Sequence, residues 1–263
     1  MATAWAVGCE PASAFARFWA PVPPPRWTRP HKRDGRGGGD GNLGSVERGD
    51  AVRTYKTRRR LTPGQAQDLE RLLPRYGVEP TPPFDAERVF GRSGPVVLEI
   101  GCGNGEATVA MARAEPDRDV LAIETHVAGV ASLLRRVEEW GLMNVRVLEA
   151  DALLWLRQAC TPAVLDEVRV FFPDPWSKAR HAKRRMVVPA FADLVTDRLH
   201  VGGRLHVATD CVSYAEQATE VLDRSAYLEV VSRSRGVRPV TRFERRGLAA
   251  GRPSHDVIAV RTA

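Results

Sequence analysis

Short apolar runs alternate with segments of helical periodicity along the chain from residue 96 onward. The apolar runs predict buried strands, and apolar residues at helical spacing between them predict amphipathic helices. The predicted strands cover residues 96–100, 120–123, 145–148, 168–172, 204–208, 228–231 and 256–260. The predicted helices cover residues 106–113, 127–140, 152–158, 189–199 and 214–224. Strands that alternate with helices are typical of a parallel α/β sheet with right-handed crossovers.

The chain before residue 96 follows a different pattern. Residues 1–50 are rich in Pro, Gly and polar residues, so we predict a disordered N-terminal extension, unless this segment partly reflects the choice of start codon. Residues 51–95 form a basic segment that begins with the cluster RTYKTRRR at 53–60. Thr62-Pro63 then predicts a helix N-terminus, with the helix running over about 63–73. Residues 96–263 make up the main domain.

Composition and charge narrow the classes of partner. The chain has 263 residues, a formal net charge of +7 and a pI of about 9.7, a balance that favours an anionic partner such as nucleic acid or a membrane surface. The four cysteines lack C-x-x-C spacing, which disfavours a zinc site or a disulfide framework. No apolar run reaches the roughly 18–20 residues of a membrane helix. We therefore expect a cytoplasmic protein with no metal or membrane partner.

A glycine turn follows the first predicted strand, in the sequence LEIGCGNGE at 98–106. Gly101 and Gly103 let the backbone approach a ligand closely. Glu106 departs from the dinucleotide pattern G-x-G-x-x-G, which disfavours a nicotinamide-dependent dehydrogenase. Glu99 favours a cationic ligand, and S-adenosylmethionine carries both a sulfonium and an ammonium. A tight turn with only a structural role is the alternative.

Acidic residues end the next two predicted strands. Glu124 lies where an acid can bind ribose hydroxyls, although it could instead interact with the dipole of the following helix. Asp151 could accept from an adenine amino group or cap the following helix. Ligands of open α/β sheets bind at the carboxyl ends of the strands, where these acids are expected to meet.

The segment VRVFFPDPWSKARHAKRR at 168–185 combines a buried strand, a carboxylate and a basic run. Pro173 and Pro175 restrict the backbone on either side of Asp174, so this acid is expected at a fixed position beside the first strand. A proline-rich turn before a solvated basic helix is the alternative. Asp210 ends the fifth strand, where it is either a further acid at the same edge of the sheet or the N-cap of the following helix. Residues 238–247, taken alone, indicate a turn with solvated arginines.

Several motifs together resemble the bacterial tRNA (guanine-N7)-methyltransferase family. They are RTYKTRRRLTPGQ at 53–65, LEIGCGNGE at 98–106, IETH at 123–126, FFPDPWSKARHAKRR at 171–185, GGRLHVATD at 202–210 and RPVTRFERRG at 238–247. The resemblance covers roughly residues 53–261. It implies a Rossmann-like class I methyltransferase fold, with a largely parallel seven-stranded sheet, an antiparallel last strand and helices on both faces.

The resemblance also implies an activity and its residues. The expected reaction is methyl transfer from S-adenosylmethionine to N7 of a guanine in tRNA, at guanine 46 of the variable loop. The implied cofactor-binding residues are Glu99, Gly101, Gly103, Glu124, Asp151 and Asp174, and Asp174 is also the implied catalytic residue. The implied substrate-binding residues are Lys178, Asp210, Thr241, Arg242, Phe243 and Glu244. The implied RNA-binding residues are Arg180, His181, Lys183, Arg184 and Arg185.

Two departures from the family pattern and two alternative functions remain. Arg242 stands where lysine is often found, and Ser177 stands where histidine can occur. A class I methyltransferase that acts on another RNA, a protein or a small molecule explains the acids but not the basic run after Asp174. A non-catalytic RNA-binding protein on this fold does not explain the acids. Monomer and homodimer are both open.

Overall fold

The alternation of strands and helices is confirmed in the computed structural model, which describes residues 61–263. The strands are β1 Val96–Ile100, β2 Asp119–Glu124, β3 Val145–Glu149, β4 Leu165–Phe171, β5 Leu199–Thr209, β6 Leu228–Ser232 and β7 His255–Arg261. The helices are α1 Pro63–Tyr76, α2 Ala86–Phe90, α3 Glu106–Ala114, α4 Val127–Glu139, α5 Ala152–Gln158, α6 Pro189–Arg198, α7 Val212–Asp223 and α8 Arg242–Ala249, with a 3₁₀ helix at Ala179–Arg184.

The strands form one seven-stranded sheet in the order β3-β2-β1-β4-β5-β7-β6. All pairs from β3 through β5 are parallel, whereas β7 runs antiparallel to both of its neighbours, β5 and β6. The predicted fold class is therefore confirmed. The strand order reverses between β1 and β4, and the crevice at the carboxyl ends of strands at such a point is where open α/β sheets bind ligands.

Helices cover both faces of the sheet because successive side chains of a strand point to opposite sides. In β1, Leu98 packs in the cluster that contains α5, α6 and α7, whereas Val97 packs in the cluster that contains α1, α3 and α4. Every residue of β1 is buried. The strand ends are thereby fixed from two sides, which gives the crevice rigid walls.

Helix α1 begins as predicted and ends later. Thr62 caps it in a reciprocal capping box with Gln65, and the helix continues to Tyr76, beyond the predicted end at residue 73. An ion pair between Asp68 and Arg135 joins it to α4. The predictions for residues 1–50 and for the basic cluster at 53–60 lie outside the described residues.

Three elements differ from the predicted pattern. The pair Gly202-Gly203 does not start a new strand, because β5 runs through it from Leu199, with a register shift against β4. Helix α2 is too short for a periodic signal. Residues 238–247 were expected to form a turn, but α8 begins within them at Arg242. Among residues 61–263, no helix is long and apolar enough to cross a membrane.

Candidate active site

Two adjoining cavities open at the carboxyl ends of β1 to β4. The first has a volume of about 310 Å³ and is lined mainly by the residues that follow β1, β2, β3 and β4. The second has a volume of about 410 Å³ and lies between the glycine turn and the start of α8. Gly101, Phe171 and Phe172 line both cavities. Two ligands, one in each cavity, could therefore meet at these three residues.

The glycine turn packs tightly on α4 and is tied to β2. Gly105 has a φ of 77°, and a Cβ atom there would lie only 2.9 Å from Leu133 Cβ, so the position requires glycine. The Gly103 N–H donates to Glu124 Oε2 over 2.9 Å, and Glu124 Oε1 accepts from the His126 N–H over 2.8 Å. Glu124 thus orders the turn while it lines the first cavity.

Asp151 caps α5 and also lines the first cavity. Its Oδ1 accepts from the backbone N–H groups of Leu153 and Leu154 at 2.9 and 3.1 Å, so the predicted N-cap is confirmed. No hydrogen bond to Oδ2 is present among residues 61–263. The cap fixes the carboxylate and leaves one oxygen available for a ligand in the cavity.

Glu99 lies under the second cavity, and its carboxyl group is buried. The residue is 2% exposed, and Oε2 has no hydrogen-bond partner among residues 61–263. Burial raises the pKa of Glu99 to about 7, although the positive charge of Arg169 opposes this shift. A buried acceptor without a partner at a cavity indicates a ligand that brings a donor or a positive charge.

The Pro-Asp-Pro segment leaves β4 with an unusual backbone. Phe172 has a φ of 52° and Trp176 a φ of 42°, so a left-handed residue stands on each side of Asp174. The Asp174 side chain is exposed and lines the first cavity. The segment thus leaves the Asp174 carboxylate at the crevice, the end of β4 where the two prolines predicted it.

Arg185, an expected RNA-binding residue, is buried behind this segment. Its guanidinium donates to the carbonyl oxygens of Pro175 and Ser213, to Ser213 Oγ and to Gln217 Oε1, at 2.9–3.0 Å. Arg185 therefore attaches the Pro-Asp-Pro segment to α7. Only 6% of the residue is exposed to solvent.

The other residues of the basic run lie at or near the surface. Lys178, Arg180 and Lys183 are exposed. Arg184 lies over the Trp176 ring, with 4.9 Å between the guanidinium carbon and the ring centroid, and lines the first cavity. His181 meets the same ring edge-on, with 5.9 Å between ring centroids. Trp176 thus organises two cationic or polar side chains beside the cavity mouth.

A buried group of charges joins helix α8 to strand β7. Glu244 is 1% exposed in its side chain and pairs with Arg235 and Arg238. Arg238, itself fully buried, donates from Nε and Nη2 to Asp256 on β7 over 2.7 Å each, and Asp256 also contacts His206 on β5. The expectation of solvated arginines in this segment is thus wrong for Arg238, because its guanidinium is buried and contacts two carboxylates instead of water.

These contacts keep both carboxylates ionised. Burial would raise the pKa of the Glu244 carboxyl, but hydrogen bonds from Arg235, Arg238 and Ser254 outweigh it and lower the pKa to about 2. Burial would likewise raise the pKa of Asp256, yet Arg238 and His206 lower it to about 2.

Glu106 ties the start of α8 to the glycine turn. Its Oε2 accepts from the Arg242 N–H over 2.8 Å, and its Oε1 pairs with Arg245 over 3.2 Å. From the sequence, Glu106 was expected only to disfavour a dinucleotide site. The departure from the G-x-G-x-x-G pattern was the available signal, because an acid there needs a cationic or donor partner.

The expected substrate-binding residues separate into three groups. Thr241, Arg242 and Phe243 line the second cavity, and the half-exposed ring of Phe243 lies 5.0 Å from that of Phe172. Glu244 lies beneath them. Asp210 pairs with Arg252 over 2.9 Å, and neither Asp210 nor the exposed Lys178 lines either cavity. Arg238 and Arg246 line the second cavity and were not expected there.

Comparison with known proteins gives consistent results. A family model described as "Putative methyltransferase" matches residues 93–257. The chain is 44% identical over 218 residues to a tRNA (guanine-N(7)-)-methyltransferase of Nitrosomonas europaea, a match that covers 81% of this chain and 97% of that protein. It is 45% identical over 216 residues to a protein of the same name from Halorhodospira halophila, covering 79% and 94% of the two chains.

A solved structure agrees with the fold. The crystal structure of the 16S rRNA methyltransferase KamB matches with a TM-score of 0.50 and 16% identity, and the match covers 70% of this chain and 96% of that one. At this identity the likeness concerns the fold alone.

The low pKa values of the buried carboxylates predict how the stability of the fold changes in acid. Because the pKa values of Glu244 and Asp256 in the folded chain, about 2, lie below their ordinary values of 4.5 and 3.8, their contribution to the free energy of unfolding is complete above about pH 4.5. It is lost as the pH falls toward 2. Glu244→Gln should lower the thermal midpoint at pH 7 and flatten its decline between pH 4.5 and 3.

Thermal unfolding followed by circular dichroism at several pH values tests this prediction. Glu229→Gln, at an exposed position of β6, serves as the control and should follow the wild-type curve. If the thermal midpoints of Glu244→Gln and the wild type decline in parallel between pH 4.5 and 3, the role given to these buried charges is contradicted.

Proposed function

Because the chain belongs to the tRNA (guanine-N(7)-)-methyltransferase family, we propose that it transfers the methyl group of S-adenosylmethionine to N7 of a guanine in tRNA. The product is 7-methylguanosine, the target is guanine 46 of the variable loop, and the reaction takes place in the cytoplasm. The observation that carries this proposal is the pair of adjoining cavities, one rimmed by fixed acids and one by aromatic and cationic side chains.

The acids of the crevice match the donors of S-adenosylmethionine. Glu124 and Asp151 at the ends of β2 and β3 would accept from the ribose hydroxyls and the adenine amino group in the first cavity. The unpartnered Oε2 of Glu99 would accept from the methionyl ammonium. When bound, this cofactor supplies an electrophilic methyl group on a sulfonium. Gly101, which lines both cavities, lets the backbone pass close to it.

The second cavity supports a guanine base. Phe172 and Phe243 offer ring faces for stacking, and the guanidinium carbon of Arg238 lies 5.1 Å from the Phe172 ring centroid. Stacking of an unpaired base on aromatic side chains is a common mode of RNA recognition. Thr241 and Arg242 would contact the base edge or its ribose, while Glu244 acts through Arg235 and Arg238 to keep the segment in place.

The reaction requires positioning rather than proton removal. Guanine N7 carries an in-plane lone pair, so no proton leaves before it attacks the methyl group. A positive charge develops on the purine, and a carboxylate near the guanine N1–H and amino edge would stabilise it. The exposed carboxylate of Asp174, which lines the first cavity, would take this role. Asp210 could assist through Oδ1, since its contact with Arg252 uses Oδ2.

The exposed cations after Asp174 would bind the tRNA backbone. Lys178, Arg180 and Lys183 lie outside the cavity and would contact phosphates, which position an RNA without reading its bases. Arg184 and His181, both beside Trp176, would contact the strand near the first cavity.

Methyl transfer to unmodified tRNA tests the function directly. With labelled S-adenosylmethionine, nucleoside mass analysis should find the label in 7-methylguanosine; label in any other nucleoside refutes the proposal. Asp174→Asn should keep the fold and the cofactor affinity but lower turnover on the order of tenfold or more, because the developing charge loses its carboxylate. Unchanged turnover of this variant would contradict the role of Asp174.

The elevated pKa of Glu99 predicts a pH-dependent cofactor affinity. Below about pH 7 Glu99 is protonated in the free protein and must lose that proton to attract the ammonium, so binding weakens by up to about tenfold per pH unit. Above pH 7 Glu99 is already ionised, so cofactor binding releases no proton from it. Calorimetry at pH 6, 7 and 8 measures both effects. Glu99→Gln should bind more weakly at pH 8 and lose most of the pH dependence; an unchanged dependence would contradict the assignment.

Arg180 and Arg185 should respond differently to substitution, although only five positions separate them. Arg180→Ala should reduce the slope of log affinity for tRNA against log salt concentration by about 1, the value for one phosphate contact. Arg185→Ala should lower the thermal midpoint and leave the slope unchanged, because its donors are used within the protein. A reduced slope without loss of stability in Arg185→Ala would place that residue on the RNA.

A further inference from the structure

Six arginines occupy the segment from residue 235 to residue 252, and the structure separates them into two sets. Four have carboxylate partners: Arg235 and Arg238 with Glu244, Arg245 with Glu106, and Arg252 with Asp210. The guanidinium groups of Arg242 and Arg246 have no hydrogen bond, ion pair or ring contact with any of residues 61–263. Both of these side chains are exposed, and both line the second cavity.

Arg242 and Arg246 stand one helical turn apart on α8. Residues at this spacing lie on the same face of a helix, and two like charges there repel each other. The four neighbouring arginines have carboxylate partners within and outside this segment, yet these two have none among residues 61–263. An uncompensated pair of guanidinium groups at a cavity mouth indicates that an anion from outside the chain occupies the space between them.

The orientation of the pair is fixed by contacts on other sides of α8. Glu106 holds the Arg242 N–H and Arg245 from the glycine turn, and Arg235 and Arg238 hold Glu244 from below. The face that carries Arg242 and Arg246 is therefore held at a set position beside Phe243. The ring of Phe243 would stack on a base in the second cavity, and the phosphate of the same nucleotide would then lie near Arg242 and Arg246, which line that cavity.

We propose that Arg242 and Arg246 form a phosphate-binding clamp for the nucleotide whose base enters the second cavity. The ligand is a phosphodiester of the RNA strand, and the fork geometry of the guanidinium group suits bidentate contact with its oxygens. This inference rests on the proposed function. It adds Arg246 to the substrate site and gives Arg242 a contact with the backbone rather than with the base.

The experiment neutralises one phosphate at a time. A tRNA is assembled from synthetic fragments with a single methylphosphonate beside the methylated guanosine, on its 5′ or its 3′ side, or several nucleotides away. Methyl-transfer kcat/KM and binding Kd are measured for the wild type and for Arg246→Ala. On the unmodified tRNA, Arg246→Ala should lower kcat/KM about tenfold or more, with the thermal midpoint unchanged.

The combination of the two changes gives the decisive result. In the wild type, one of the two methylphosphonates beside the target guanosine should lower kcat/KM about as much as Arg246→Ala does. In Arg246→Ala, the same methylphosphonate should lower kcat/KM only a little further. Arg242→Ala should show the same non-additivity, and Arg246→Lys should retain part of the activity. The distant methylphosphonate and Arg88→Ala, an exposed arginine of α2, are the controls and should act independently.

Two results separate failure of the clamp from failure of the proposed function. If the wild type forms 7-methylguanosine but the losses from Arg246→Ala and from every neighbouring methylphosphonate add fully, the clamp is overturned and the function stands. If the wild type transfers no methyl group to tRNA, the proposed function fails, and the same cycle in Kd then decides whether the two arginines hold a phosphate at all.

Discussion

The buried guanidinium of Arg238 is the contact on which the arrangement of the site depends. It joins Glu244 of α8 to Asp256 of β7, and it lies over the rings of Phe171 and Phe172 at the end of β4. Removal of one member of such a group leaves an uncompensated buried charge, which is strongly destabilising. The network thereby fixes where α8 can lie above the sheet. Phe243, Arg242 and Arg246 owe their places at the second cavity to it.

The central strands could be predicted from the sequence, because burial on both faces makes them nearly continuous apolar runs. The acids at their ends followed from chain order, and the turn at 101–105 followed from its glycines. Helix α8 could not be predicted in this way, since its only buried residues are Glu244 and Gly247. Ion pairs rather than apolar periodicity hold it, and such pairs involve residues distant in sequence, such as Glu106 and Arg242.

The contacts of the basic segments could not be predicted from the sequence either. Arg180 and Arg185 belong to one run of cations, yet one is exposed and the other is 6% exposed, with four acceptors around it. Sequence identifies the charge of an arginine but not whether the protein already supplies its acceptors. The structure makes that distinction for 178–185 and again for 235–252. Within residues 61–263, Arg184 of the first segment lines the first cavity, and the exposed Arg242 and Arg246 of the second segment line the second cavity.

Glu124, Asp151 and Asp174 line the first cavity, whereas Glu99 lines the second together with Arg242, Phe243 and Arg246. Gly101, Phe171 and Phe172 line both cavities. With the methyl donor and the guanine bound as we propose, this arrangement would accelerate a displacement by alignment and charge rather than by proton transfer. The most direct test replaces the target guanosine of a tRNA by 7-deazaguanosine, in which carbon stands at the position of N7. We expect this tRNA to bind with an unchanged Kd and to accept no methyl group. Methylation of the substituted tRNA at that residue would contradict this mechanism.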